Sequence, residues 1–253
     1  FVQAHTGFRI IPRLTDQSDI VTEAQDFMRQ FSDAEEGLAN FLEAQILAAV
    51  DAAKATTYNS AFVGAAAKYP LLADALQVAA ADVDFFLNDG KSIMQADDFS
   101  RNGLEVIGDA QLASFVSQYV NQGSGNGTNT AFQFNGYTFT YSNTVATSAA
   151  AVSTGYVMPA GSVGIVAKVS PDAAANRESM SDGIRWSVEQ SDLMGIPMSL
   201  MIKDECADVS AITGNADDTN ALVKSYQMGM SVAILTPYNT GTNGGIKKFD
   251  YLP

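Results

Sequence analysis

Residue types that perform catalysis are scarce in this 253-residue chain. It has one histidine, His5, and one cysteine, Cys206. A Ser-His-Asp or Cys-His arrangement would therefore have to be built on His5 alone. Cys206 lies in the segment "KDECAD", where the neighbouring carboxylates disfavour a thiolate nucleophile. These residues predict that the protein is not an enzyme.

Metal and paired-carboxylate sites are disfavoured as well. One histidine and one cysteine cannot build a zinc site of several such ligands, and no calcium-loop pattern D-x-[DN]-x-[DN]-G is present. Asp82 and Asp84 are closely spaced, but residues two apart on a helix point roughly 200° apart and do not converge as glycosidase carboxylates do. The sequence predicts no metal, no cofactor and no catalytic residue.

Aromatic residues form the most informative pattern. The stretch "AFQFNGYTFTYSN" contains Asn135-Gly136, the favoured centre of a two-residue type I′ β-hairpin. In that register five rings lie on one face of the ribbon, with neither catalytic groups nor Lys or Arg among them. We interpret the rings, together with the single tryptophan, as candidate core or subunit-interface residues. They are Phe132, Phe134, Tyr137, Phe139, Tyr141 and Trp186.

Charge and hydropathy exclude several classes of partner. Fourteen Lys and Arg residues against 28 Asp and Glu residues give a net charge of -14, which opposes binding to a phosphate backbone or an anionic membrane surface. No apolar run approaches the roughly 20 residues that a transmembrane helix needs. With 47% hydrophobic residues the chain can bury a sizeable core. The sequence predicts a globular protein with no sequence-specific nucleic-acid binding and no membrane partner.

Helices are predicted in the first half of the chain. Ser32 and Glu35 have capping-box spacing, and a following apolar stripe predicts a long helix from Ser32 to Ala55. A second apolar stripe predicts a helix from Pro70 to Leu87. Further along, Asp109 is placed to cap another helix directly after a short strand.

Strands are predicted in the second half, so the fold class is α+β. They are bounded by Gly, Asp, Ser and Pro, and the last of them is apolar enough to be an interior strand buried on both faces. Candidate domain boundaries lie near residues 89 and 215. The predicted strands cover Leu104 to Ile107, Tyr156 to Met158, Val163 to Val169, Ile184 to Val188, Pro197 to Ile202 and Tyr226 to Pro237.

The order of these motifs resembles that of the tailed-bacteriophage major capsid proteins, whose Hong Kong phage type fold is shared with encapsulins. The resemblance is carried by the long capped helix, by "LLADALQVAAADVDFFLND", by "LEVIGDAQLASFVSQYV", and by a hairpin of the form G-[aromatic]-x-[aromatic]-x-x-S-N at residues 136–143. It implies a phage major capsid fold with a peripheral domain, containing a spine helix and a sheet, and an axial domain, containing a central sheet flanked by helices.

The resemblance also implies a division of the chain. The peripheral domain would take residues 1–88 and 216–253, with the predicted helix from Ser32 to Ala55 as its spine. The axial domain would take residues 89–215, and the strand from Tyr226 to Pro237 would return to the peripheral sheet. Family members carry an N-terminal arm and an extended loop before the spine helix, so either that region lies upstream of residue 1 or this shell is trimmed.

The function implied by the resemblance is structural. The chain would be a major capsid subunit that self-assembles, as pentamers and hexamers and with other virion proteins, into the icosahedral head enclosing phage double-stranded DNA. It would be assembled in the host cytoplasm and located in the virion. Two alternatives remain open: an encapsulin-like compartment shell, and a secreted acidic carbohydrate-binding module or enzyme that uses the aromatic face of the hairpin.

Overall fold

A computed structural model of the chain describes residues 2–11, 23–123, 133–134, 136–237 and 241–253. It contains both helices and sheets, which confirms the α+β prediction. In chain order the elements are β1 (Val2–Ile10), α1 (Glu23–Ala52), β2 (Ala55–Thr57), β3 (Leu71–Leu72), β4 (Ala75–Val78), a 3-10 turn (Ala80–Asp82), α2 (Val83–Ala96), β5 (Leu104–Gly108), α3 (Ala110–Gly123), β6 (Gln133–Phe134), β7 (Tyr137–Tyr141), β8 (Ser153–Pro159), β9 (Gly164–Lys168), α4 (Pro171–Ala174), β10 (Glu178–Ser179), β11 (Ile184–Gln190), β12 (Pro197–Ala207), α5 (Ser210–Thr213), β13 (Ala221–Leu235), β14 (Gly241–Thr242) and β15 (Lys247–Tyr251).

The long helix α1 begins earlier than predicted. It is continuous from Glu23 to Ala52, so Ser32 lies inside it and is not its N-cap. No Gly or Pro precedes Ser32 in the helix, and serine is tolerated in a helix interior, so the capping-box spacing does not start a new helix. The Glu35 carboxylate accepts a hydrogen bond from the hydroxyl of Ser191 instead.

The predicted helix from Pro70 to Leu87 is wrong. β3 and β4 form an antiparallel hairpin through Ala73 and Asp74, whose φ angles of 49° and 62° are incompatible with a right-handed helix. β4 is buried at all four positions and lies between β3 and β15. A strand buried on both faces has the same apolar density as a buried helix, so the pattern alone does not distinguish them.

The chain forms two compact units. The first comprises Phe1–Gln45 and Ile165–Ile234 and is called the long-sheet unit below. The second comprises Ile46–Gly164 and Leu235–Pro253 and is called the mixed-sheet unit. Helix α1 contributes residues to both.

These units differ from the predicted division into residues 1–88 with 216–253 and residues 89–215. Strand pairing is the reason. β11 and β12 join β13 in one sheet, whereas β15 pairs with β4 and β8 in another. The assignment of the units to peripheral and axial positions of a shell stays a prediction.

The long-sheet unit is built on an antiparallel sheet of order β1-β13-β12-β11-β10, with β9 also paired to β13. The predicted interior position of the last long strand is confirmed, because β13 lies between β1 and β12. The expected burial on both faces is wrong: Met228, Met230 and Val232 are buried, whereas residues between them are only partly covered. On this buried side Phe27 of α1 lies 4.9 Å from the ring of Tyr226.

The mixed-sheet unit is built on a seven-stranded sheet of order β3-β4-β15-β8-β5-β7-β6. Side chains of α2, α3 and β8 share one core cluster, in which Phe86, Leu112 and Val157 are buried. Tyr156 and Met158 belong to a second cluster that includes the end of α1. Because neighbouring residues of β8 alternate between the clusters, the sheet is covered on both faces.

Candidate functional site

The hairpin predicted from Asn135-Gly136 is present. Phe134 of β6 pairs with Tyr137 of β7, so the loop has two residues. Gly136 has a φ of 79°, as a type I′ turn requires of its second central residue. Asn135 itself lies outside the described residues. β7 also pairs with β5 in parallel, which places the hairpin at the edge of the seven-stranded sheet.

The rings on β7 pass from core to surface along the strand. Tyr137 is 2% exposed, belongs to the main core cluster, and donates a hydrogen bond from its hydroxyl to the Leu87 carbonyl at 2.6 Å. Phe139 is partly buried and packs against the same cluster. Tyr141 is 52% exposed. One strand therefore supplies both a core anchor and an exposed aromatic side chain.

The other candidate residues are placed separately. Phe132 lies outside the described residues, and the side chain of Phe134 lies outside them too. Trp186 is half-buried on β11 of the long-sheet unit, so it does not belong to the unit that contains the hairpin. A role of these six residues at a subunit interface stays a prediction.

We expect Gly136→Val to destabilise the protein by about 1–3 kcal/mol, because a β-branched residue is strained at a positive φ. A Cβ at this position would have the Lys91 amine at 3.4 Å as its nearest neighbour, so space is not the obstacle. Gly136→Asn is the matched control, since Asn tolerates this conformation. Chemical denaturation measures the free energy of unfolding of both variants and of the parent. Equal stability of Gly136→Val and the parent would contradict the turn assignment.

The two lone nucleophile candidates lie apart in the long sheet. His5 is exposed on β1 and pairs with Gly229 of β13, whereas Cys206 is exposed on β12 and pairs with Leu222. The two partners are seven residues apart on β13, so the rows of His5 and Cys206 are separated by about 23 Å along the strand. They do not form one catalytic arrangement.

The described part of the chain contains neither a cluster of metal ligands nor a membrane-spanning helix. There, no group of three or more His, Cys, Asp and Glu side chains converges to hold a metal ion. Among the same residues, no helix is both long enough and apolar enough to cross a membrane.

Asp109 organises a buried polar network in the mixed-sheet unit. Its Oδ1 accepts hydrogen bonds from the Leu112 amide at 3.0 Å and the Ser153 hydroxyl at 2.6 Å, so the predicted N-cap is confirmed. Its Oδ2 accepts from the Thr154 amide and the Thr147 hydroxyl, both at 2.9 Å. Burial alone would raise the pKa of Asp109, but these four hydrogen bonds outweigh it and lower the pKa.

A buried ion pair joins β15 to the end of α2. The Lys247 amine contacts the Asp97 carboxylate, and the two side chains are 2% and 0% exposed. The centre of the Tyr58 ring lies 4.4 Å from the Lys247 amine. The backbone N–H of Asn59 donates a hydrogen bond to the other Asp97 carboxylate oxygen at 2.7 Å. Burial lowers the pKa of Lys247, and the contact with Asp97 opposes that shift only in part. No local sequence pattern indicates this pair.

Large apolar side chains are exposed on both units. In the long-sheet unit, Met180 at the tip between β10 and β11 is 95% exposed, and Met28 on α1 is 64% exposed. In the mixed-sheet unit, Leu72 is 62% exposed and Phe85 is 56% exposed. Contiguous apolar patches mark surfaces that contact another protein, and these four side chains are candidates for such surfaces.

Comparisons with known proteins give structural likenesses only. No protein-family model matches the chain, and no curated protein matches it. The capsid of cyanophage P-SCSP1u is similar with a TM-score of 0.49 and 12% identity, covering 98% of this chain and 72% of that one. The mature capsid of bacteriophage PhiM1 is similar with a TM-score of 0.46 and 11% identity, covering 100% and 72%.

An encapsulin complex from Synechococcus elongatus is similar with a TM-score of 0.43 and 10% identity, covering 98% of this chain and 73% of that one. The three structures are two phage capsids and an encapsulin complex.

Proposed function

We propose that this chain is a structural shell subunit, the major capsid protein of a tailed bacteriophage, which assembles with copies of itself around the packaged genome. Its place is then the virion, and its copies form pentamers and hexamers that contact other virion proteins. It has no sequence-specific nucleic-acid binding and no enzymatic activity.

The order of the elements carries this proposal. β1 and a 30-residue helix come first, most of the mixed-sheet unit follows, and the chain then returns through β11, β12 and β13 to the sheet that contains β1. The resemblance to capsid proteins implies a spine helix, a central domain and a returning strand, and the order of these elements supports that assignment. Fold alone does not assign a function, so the surface and the charge must also be compatible with a shell.

The surface chemistry supports the proposal. A shell subunit needs apolar side chains that become buried against its neighbours, and Met180, Met28 and Leu72 are available for that. The net charge of -14 keeps the protein from adhering to the nucleic acid that it would enclose. His5 and Cys206 lie apart, which agrees with a protein that performs no catalysis.

Sedimentation velocity tests the proposal. We expect the protein to sediment as particles far larger than its 26.8 kDa chain. Met180→Ser should raise the concentration needed for assembly about tenfold, because burial of a methionine contributes roughly 1.5–3 kcal/mol. The side chain is exposed in the subunit, so the stability of the fold should not change.

Ser181→Ala on the same hairpin tip is the matched control and should assemble like the parent. A parent protein that stays monomeric at every concentration and salt would contradict the proposed function. Unchanged assembly of Met180→Ser would exclude Met180 from the contact surface.

A further inference from the structure

A hollow of about 560 Å³ lies on the face of the long sheet that is turned away from Phe27. It is bordered by β1, β13, β11 and the segment that leads into α4. We call it the polar hollow. The side chains that define it are Gln3, His5, Lys168, Trp186, Gln227 and Ser231.

Strand register explains why the sheet is concave here. His5 pairs with Gly229, and Gly229 pairs with Ser199, so the three residues form one row across the sheet. A Cβ on Gly229 would have only the Ala4 carbonyl oxygen within 4 Å, at 3.9 Å. Because Gly229 has no side chain, the floor of the hollow is open at this row. Trp186 lies on β11, which is separated from β13 by β12.

The polar groups around this floor are uncommitted. Within the described part of the chain, none of the six side chains makes a hydrogen bond to another residue. Ser199, by contrast, is buried beside the hollow and already accepts a hydrogen bond from the Ser170 amide at 2.8 Å. The six side chains that line this space carry two amides, a hydroxyl, an imidazole, an indole N–H and an ammonium group, and none of these groups is hydrogen-bonded to another described residue.

The charge of the polar hollow is opposite to that of the protein. Among the residues that the structure describes, no Asp or Glu lines it, although the chain has 28 of them. Most Lys and Arg side chains of the described residues pair with a carboxylate, as Arg185 does with Asp204 and Lys224 with Glu23. Lys168 forms no such pair within the described residues. Its counter-charge must come from solvent or from a bound partner.

These groups select one ligand chemistry. A phosphate group is usually held by several cations or by helix N-terminal amides, and a single lysine matches one carboxylate better. Gln side chains and hydroxyls both donate and accept, as the hydroxyls of a sugar do. The indole of Trp186 supplies a flat apolar wall with a polar edge, against which a pyranose ring packs.

We propose that the polar hollow binds a carboxylate-bearing sugar ring, a hexuronate or a residue of an acidic polysaccharide. The carboxylate pairs with Lys168, the ring packs on Trp186, and Gln3 and Gln227 take hydroxyl groups. The inference uses only the long-sheet unit and does not depend on the proposed shell function.

Tryptophan fluorescence tests this site directly, because Trp186 is the only tryptophan of the chain. Titration of the full-length protein with glucuronate should give a saturable emission change. Glucose lacks the carboxylate and therefore loses one charge-assisted contact. Its Kd should be at least fivefold higher than that of glucuronate, which corresponds to a binding free energy difference on the order of 1 kcal/mol. Lys168→Gln should weaken glucuronate binding by about the same factor and leave glucose binding unchanged.

Gln227→Ala should weaken the binding of both sugars, and Gln190→Ala, an exposed glutamine on β11 outside the hollow, is the matched control. Saturation-transfer NMR on the sugar protons provides a readout independent of the indole. Absence of saturable binding in both measurements would overturn the inference. Equal binding of glucuronate and glucose, or equal displacement of glucuronate by inorganic phosphate, would overturn the assignment to an acidic sugar.

Discussion

Lys247→Met should destabilise the protein by about 3–5 kcal/mol, since it leaves the Asp97 carboxylate buried without a counter-charge. The loss should lower Tm by on the order of 10 °C. Both side chains of the pair are almost completely buried, so solvent does not screen the remaining charge. Thermal and chemical denaturation of the purified variant measure the effect.

The neighbouring lysine is the matched control. Lys248 is 16% exposed and pairs with Asp51, which is 40% exposed, at 3.1 Å. Lys248→Met should lower the free energy of unfolding by less than about 1 kcal/mol. The double variant Lys247→Met with Asp97→Asn should recover most of the lost stability, because the asparagine keeps an acceptor for the Asn59 amide. A single Lys247→Met variant as stable as the parent would contradict the buried pair.

Asp109→Asn should lower the free energy of unfolding by about 1–3 kcal/mol at neutral pH. The reason is that an amide NH₂ replaces one carboxylate oxygen and leaves the two donors that bound this oxygen without an acceptor. Helix capping is not the cause, since Asn caps helices as well as Asp. Asp98→Asn is the control: Asp98 is exposed at a φ of 66°, which Asn also adopts. Equal losses in the two variants would show that the network of Asp109 does not contribute to stability.

The effect of Asp109→Asn should depend on pH. The pKa of Asp109 is lowered in the folded protein, so its charged form contributes stability above the unfolded pKa of about 3.9. That contribution is lost as the pH falls through the folded pKa. The difference in unfolding free energy between parent and variant should therefore shrink below about pH 4. A difference that stays constant as the pH is lowered well below 4 would contradict the lowered pKa.

Local patterns in the sequence predicted the elements that are determined locally. Asn135-Gly136 sets the loop length of its hairpin by turn chemistry, and Asp109 caps α3 from the adjacent position. In both cases the residues that decide the structure lie within a few positions of one another. The interior place of β13 was also predicted, but from a burial on both faces that the strand does not show.

Long-range pairing explains what the sequence analysis missed. The apolar sequence of β4 fits a helix as well as a strand, and its pairing with β15 is what makes it a strand. Lys247 shares a strand face with the core residues Phe249 and Tyr251, and no local pattern indicates that Asp97, 150 positions away, pairs with it. The polar hollow likewise combines side chains from four strands, and none of them belongs to a recognisable motif.

Electron microscopy of the assembled protein tests the central claim most directly. The shell proposal predicts closed particles whose surface consists of pentamers and hexamers of this chain. Nucleic-acid absorbance in native particles would identify a phage head, whereas closed particles filled with protein would identify the encapsulin-like alternative. A sample that contains only monomers or small oligomers of the 26.8 kDa chain, under all conditions of concentration and salt, would contradict the account.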